Sequence, residues 1–174
     1  MRPAVPRIPL VDRSNYTVDQ AALAHGRDQY NLTRMLVQHP EFYRVFIPFL
    51  TKLMSGSALP SRDREILILR TLGLSGETYE EQHHMSIGQA VGLSADEAMA
   101  ARDGRSGAFN ARDRMLLKAA QELVNERCMS EETWRALARD FSIDQMIEVV
   151  FLVGSFTMVS MATNSFGTPT DASC

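Results

Sequence analysis

Glu77, Glu80 and His84 stand at i, i+3 and i+7, a spacing that could gather proton-trading side chains on one helix. Successive helical residues step by about 100°, so a helix over 77–91 carries all three on a narrow stripe. Two carboxylates beside an imidazole make a plausible proton-transfer set at neutral pH. The same stripe also fits a wet helix face, on which Glu80 and His84 form a modest i, i+4 pair. Spacing alone leaves both readings open. The remaining face of this helix offers only Tyr79, Met85, Ile87, Ala90 and Val91 as apolar content, which favours turning some of the polar stripe inward or toward a neighbouring subunit.

Other chemistries find less support. Glu80-Glu81-Gln82-His83 is a literal E-x-x-H, but a di-iron bundle takes two such motifs and two further glutamates. The only other E-x-x-H, Glu81-Gln-His-His84, overlaps the first, so no second helix supplies one. Glu80, His84 and Glu65 remain as a mononuclear set, so a metal-dependent lyase or hydrolase is a third reading; no metal site and no cofactor is assigned. Cys128 has no histidine near it in sequence and reads as a small half-buried residue rather than a nucleophile. Gly104-Arg-Ser-Gly107 is not a Walker loop and follows no strand. His25 and His39 fall beside helix ends, Trp134 reads as core packing, and the ten methionines suit an adaptable apolar interior.

Bulk properties narrow the setting. A chain of 174 residues suits one domain, 1–174, with a real core. A net charge of −3 gives no reason to expect nucleic acid or an anionic membrane as partner. With only Cys128 and Cys174 there is no disulfide framework, no CxxC pair and no cysteine-ligated zinc. Residues Met1 to Leu10 carry Arg2, Arg7 and three prolines but no apolar h-region, so a cytoplasmic location is the expectation. The apolar stretch Met146 to Ala162 is broken by Glu148, Gly154, Ser155, Thr157 and Ser160. It falls short of the roughly 18 residues of a membrane span and reads as a helix buried in the protein or in an oligomer.

The elements that must position the stripe are helical throughout. Thr17-Val-Asp-Gln20, Ser94-Ala-Asp-Glu97 and Ser142-Ile-Asp-Gln145 each fit a capping box. Pro40 suits an N1 position, and Ser61 reads as the N-cap after Pro60. Stops stand at Gly26, Gly56, Gly73 to Gly76, Gly92 and Gly104. Between them, apolar residues such as Ile66, Leu69, Leu72 and Leu116, Ala119, Ala120, Leu123 recur at three and four, and no stretch alternates as a strand would. The expected helices are 18–25, 28–38, 41–54, 61–73, 77–91, 95–102, 110–127, 131–140 and 143–163. Residues 1–14 read as an extended arm, 165–174 as a tail, and 103–110 as the one soft internal boundary. The fold class is all-α.

Leu59-Pro-Ser-Arg-Asp-Arg-Glu-Ile-Leu-Ile-Leu-Arg70, then Tyr79-Glu-Glu-Gln-His-His84 and Ala90-Val-Gly-Leu-Ser94, resemble the carboxymuconolactone decarboxylase superfamily, which includes the AhpD-like alkylhydroperoxidases. The core of the resemblance covers about 59–103. His39-Pro40 upstream, and Phe151-Leu-Val-Gly154 and Asn164-Ser-Phe-Gly167 downstream, extend it. The family's Tyr-Glu-Trp-x-x-His pattern falls on Tyr79, Glu80, Glu81 and His84, with Glu81 at the tryptophan. In the redox branch, C-x-x-C-x-x-x-H would place its cysteines at Glu77 and Glu80, its histidine at His84 and its proton-relay glutamate at Glu65. Without thiols there, disulfide-based peroxide reduction is chemically unavailable, which puts the chain in the non-redox branch.

The resemblance implies an AhpD-like helical subunit that assembles into a trimer or hexamer, with its site near a subunit interface. It also implies a cofactor-independent, decarboxylase-like enzyme acting on a small carbonyl or lactone acid. His84 and Glu80 would shuttle protons, and Glu65 would orient the histidine. Arg62, Arg64 or Arg70 would hold a substrate carboxylate, and Arg62, Glu77, His83 and Tyr79 are the expected substrate contacts. Decarboxylation, isomerisation, hydration and lactone opening would use the same residues, because each needs an enolate-like charge stabilised and a proton delivered. The competing reading is a non-catalytic ligand-binding or assembly protein on the same fold.

Overall fold

All three capping boxes form. Thr17, Ser94 and Ser142 each accept the backbone N–H three residues on, and the Gln or Glu at that position accepts the cap's own N–H. These local bonds fix where helices begin in the computed structural model, which describes residues 3–171, the side chain of Ala108 excepted. Met1, Arg2 and the tail residues 172–174, Cys174 among them, lie outside the described residues.

The described residues form helices α1 Val18–Ala24, α2 Asn31–Leu36, α3 Pro40–Ser55, α4 Ser61–Ser75, α5 Tyr79–Ala90, α6 Ala95–Asp103, α7 Ala111–Glu126, α8 Glu131–Leu137 and α9 Ile143–Phe166. Short 3-10 turns stand at Arg13–Asn15 and Ser106–Ala108, and no strand is found among the described residues. Most ends agree with the sequence signals to within two residues. Three differences matter. Residues 28–30 form a turn before α2 rather than part of it. Pro60, not Ser61, is the N-cap of α4, and Ser61 is its first residue. Finally, α5 begins at Tyr79, so Glu77 is not on the helix.

The described residues form two compact units, one from 3–56 with 162–171 and the other from 57–161. In the first, Ala24, Val37 and Tyr43 make a small core with Tyr16, Leu23, Leu36 and Ile47. The arm and the end of the chain tie into it. Arg7 N–H donates to the Phe166 carbonyl at 2.7 Å, and Asp171 Oδ1 accepts from Asn31 N–H at 2.7 Å.

The second unit is built on α4, which packs against α5, α6 and α7. Its residues from Asp63 to Leu69, then Thr71 and Leu72, are buried on every side of the helix. A helix enclosed all round belongs at a centre, and its charges must then be matched. Arg62 donates to Asp113 at 2.9 Å and to Glu97 at 3.2 Å, and Asp63 pairs with Arg112. At the far end of α4, a Cβ on Gly73 would run into the Arg102 carbonyl oxygen, so glycine lets α4 and α6 close. The loop 103–110 is internal to this unit.

Helix α9 has 24 residues and is long and apolar enough by length and composition to cross a membrane, with half of its apolar window buried inside the protein. It thus exceeds the apolar stretch 146–162. Glu148, within it, accepts from Ser57 Oγ at 2.6 Å and from the Ala58 amide at 2.7 Å. Trp134 is exposed rather than part of the core, and Cys128 is an exposed free thiol rather than half-buried. Trp134 stays outside because the short α8 buries only Thr133 and Leu137, and Cys128 lies in the bend between α7 and α8.

Candidate functional site

Central helix α4 carries Glu65 to the facing side of α5, where it meets His84. Both are buried, Glu65 completely. Glu65 Oε2 lies 2.6 Å from His84 Nδ1. A carboxylate can only accept, so Nδ1 carries the proton and Nε2 is the nitrogen left for other work. The Phe156 ring of α9 stands edge-on to the imidazole, with centroids 4.9 Å apart at 90°. Burial alone would push the imidazolium down; the hydrogen bond and charge of Glu65, then the charge of Glu80, outweigh it despite opposition from Arg64, and hold the His84 pKa above its ordinary value.

Glu80, half-buried one turn before His84, places Oε2 4.0 Å from His84 Nε2. That is beyond hydrogen-bond range. The imidazole therefore has a carboxylate on each side, one bonded and one held off.

Glu77 has a different place from the one its spacing suggested. It precedes α5, is fully buried, and caps that helix. Its Oε1 accepts from the Tyr79 amide at 2.8 Å, and its Oε2 accepts from the Glu80 amide at 2.8 Å and the Glu81 amide at 3.2 Å. These are the free N–H groups of a helix start, where partial positive charge suits a carboxylate. The stripe of three therefore reduces to Glu80 and His84, with Glu65 arriving from α4. Glu81, at the family's tryptophan position, pairs with Arg102 of α6 at 3.0 Å.

The remaining expected residues scatter. Arg62 directs its guanidinium to Asp113 and Glu97, and Arg70 donates to the Arg102 carbonyl and to Gln121. Tyr79 is buried and meets half-buried His83 edge-on, centroids 5.4 Å apart. Arg64 is the arginine brought to the site. It is buried, with Nε 3.6 Å from Glu65 Oε1, and neither of those two atoms has a hydrogen-bond partner. The sequence offered it as one of three arginines, and packing against Glu65 singles it out. Phe156 gave no signal, being one apolar residue in an apolar helix. No group of three or more His, Cys, Asp or Glu gathers to hold a metal among the described residues. What the arrangement can do is hold a proton on a buried, oriented imidazole and present it next to a second carboxylate.

No curated protein matches the sequence. Residues 40–122 match the model of the carboxymuconolactone decarboxylase family. Among solved structures, the chain is similar to the alkylhydroperoxidase AhpD core of an uncharacterized peroxidase-related protein from Ralstonia eutropha JMP134. The TM-score is 0.82 at 17% identity, covering 95% of this chain and 92% of that one. An uncharacterized peroxidase-related protein from Silicibacter sp. TM1040 superposes with a TM-score of 0.81 at 16% identity, covering 95% and 91%. A single-residue variant of the debrominase Bmp8, solved in complex with 2,3,4-tribromopyrrole, gives 0.76 at 16% identity, covering 97% and 94%. At these identities the structures share a fold with this chain. Residues 40–122 are thus similar to the carboxymuconolactone decarboxylase family, and the chain shares the fold of the AhpD-like structures.

Proposed function

We propose that this chain is a cofactor-independent acid–base enzyme acting on a small carbonyl or lactone acid. His84 is its proton donor and acceptor, Glu80 the second proton-transfer group, and Glu65 the residue that orients the imidazole. One observation carries this reading: Nδ1 of buried His84 is bonded to Glu65 at 2.6 Å, which leaves Nε2 for a reacting atom. An imidazole oriented through Nδ1–H, with a pKa raised so that Nε2 also holds a proton, is what a general acid requires. A debrominase of the same fold fits a catalytic use of such a chain. Thiol peroxidase chemistry does not fit, since positions 77 and 80 are glutamates. Arg64 is proposed as the guanidinium for a substrate anion, because it lies beside Glu65 whereas Arg62 is engaged by Asp113 and Glu97.

The test uses acetoacetate, 2-oxobutanoate and the butenolide 5-methyl-2(3H)-furanone, following CO2 release, hydrogen exchange and lactone opening. His84→Gln and Glu80→Gln are each expected to lower turnover by about 100-fold or more. Undiminished turnover in both variants would remove the mechanism.

A second reading, an assembly role, has its own observation. Ile147, Phe151, Met158 and Met161 leave an exposed apolar row along α9, a surface of the kind that marks protein contacts. Self-association into a homo-oligomer, trimer or hexamer, is proposed on that row. It is compatible with the enzyme reading, and the two part company if His84 variants retain every property of the parent.

A further inference from the structure

Within the acid–base reading, on which this inference rests, the side chains around His84 favour one reaction over the others. Nδ1 is taken by Glu65, so a substrate can meet the imidazole only at Nε2. Glu80 Oε2 stands 4.0 Å from that nitrogen on the same helix. This gap is too long for the two to bond each other and short enough for both to reach one small molecule. In an enolisable carbonyl compound, the carbonyl oxygen and the α-carbon are about 2.4 Å apart from standard bond lengths. An oxygen bonded to Nε2–H then leaves the α-carbon hydrogen facing a carboxylate at this offset. Loss of CO2 needs an acid but no base, and would leave Glu80 idle.

We infer that the site catalyses enolisation and proton relocation in small oxo acids or unsaturated lactones, with Glu80 as the base on carbon and His84 as the acid on oxygen. The α C–H bond breaks and its proton passes to Glu80 Oε2. The released pair forms the C=C bond, the carbonyl π pair moves to oxygen, and that oxygen takes the proton from His84 Nε2. His84 is then neutral and still donates Nδ1–H to Glu65. In the return step, Nε2 recovers its proton from the enol, and protonated Glu80 delivers to the same carbon or to the far end of the conjugated system. Nothing is oxidised or reduced, and no co-reactant is needed. Arg64 Nε, 3.6 Å from the second oxygen of Glu65, adds a buried positive charge beside the carboxylate that orients the imidazole. Phe156 keeps the other flank of the imidazole apolar.

The experiment is proton NMR of the full chain in D2O with 2-oxobutanoate and 5-methyl-2(3H)-furanone. The α-hydrogen signal of unreacted substrate is followed alongside a protein-free control. Washout from either probe is expected, together with migration of the lactone double bond. Glu80→Gln should lose about 100-fold or more of the washout, while Glu80→Asp, which keeps a carboxylate, recovers part of it. Circular dichroism of both variants guards against a fold defect, and half-buried Glu80 tolerates amide or shorter acid better than a fully enclosed residue would. Absence of washout from both probes, or full washout by Glu80→Gln, overturns the inference. If washout is absent but acetoacetate loses CO2 or the lactone opens in a His84-dependent way, enolisation falls and the acid–base reading stands. Inertness toward all three compounds removes both.

Discussion

At the residue scale, the site rests on how two carboxylates hold charge on one buried imidazole. His84 is buried, yet its proton is held because Glu65 accepts from Nδ1 at 2.6 Å. Replacing Glu65 by Gln removes the largest favourable influence and leaves burial in control. The His84 pKa should then fall from above 6.5 to below it, a change read directly by NMR titration of the imidazole. Removing the other partner is worse for the fold. His84→Ala strands a buried carboxylate and should cost about 3–5 kcal/mol in urea unfolding.

The same pair predicts a pH dependence of stability. A histidine whose pKa is raised on folding binds its proton more tightly in the native state. Its stabilisation is therefore complete below the unfolded value of 6.5 and disappears as pH rises through the higher folded value. The difference in urea midpoint between the parent and His84→Gln should shrink between neutral and alkaline pH, and a difference that grows would contradict the assignment. None of this partnership is visible in the spacing of Glu65 and His84, which lie on separate helices. It entered through family resemblance and acquires its physical content only when α4 and α5 pack.

At the element scale, Glu77 shows how local and tertiary forces divide. Its spacing fits a helical stripe, but the chain uses its carboxylate to close the start of α5 on three amides. Glu77→Ala should cost about 1–3 kcal/mol, because it leaves buried N–H groups unsatisfied. Since the turn it holds contains Glu80, activity should fall along with the unfolding midpoint. Cap chemistry of the usual kind was legible, as the boxes at Thr17, Ser94 and Ser142 show. Glu77 was not legible, because it caps from two residues before the helix and no standard box describes it. Gly73 makes the complementary point. In sequence it is one of several glycines near a helix end, whereas in the fold it is where the Arg102 backbone crosses α4. Gly73→Ala should therefore destabilise by about 3 kcal/mol or more, measurable in the same unfolding assay.

At the scale of the whole molecule, α9 is the element whose role sequence leaves least settled. Its length and apolar content pass a membrane test, half of that window is buried, and an apolar row remains exposed. If that row is a self-association surface, Phe151→Lys with Met161→Lys should leave the helical content unchanged and reduce the molecular mass in light scattering to that of one chain. A parent protein that is monomeric at micromolar concentration would refute the proposal outright.

The sequence by itself determined the all-helical character, nearly every helix end, and the helix that carries His84, because caps, glycine stops and three-four periodicity act within a few residues. Only the tertiary structure decided which charges meet. Arg62 and Arg64 are two residues apart on one helix, hence about 200° apart around it, and packing alone sends the first to Asp113 and Glu97 and the second to Glu65. The same packing moved Glu77 from the proton-transfer stripe to a helix cap and brought Phe156 against His84. Those outcomes depend on contacts between residues far apart in the chain, which no local spacing encodes.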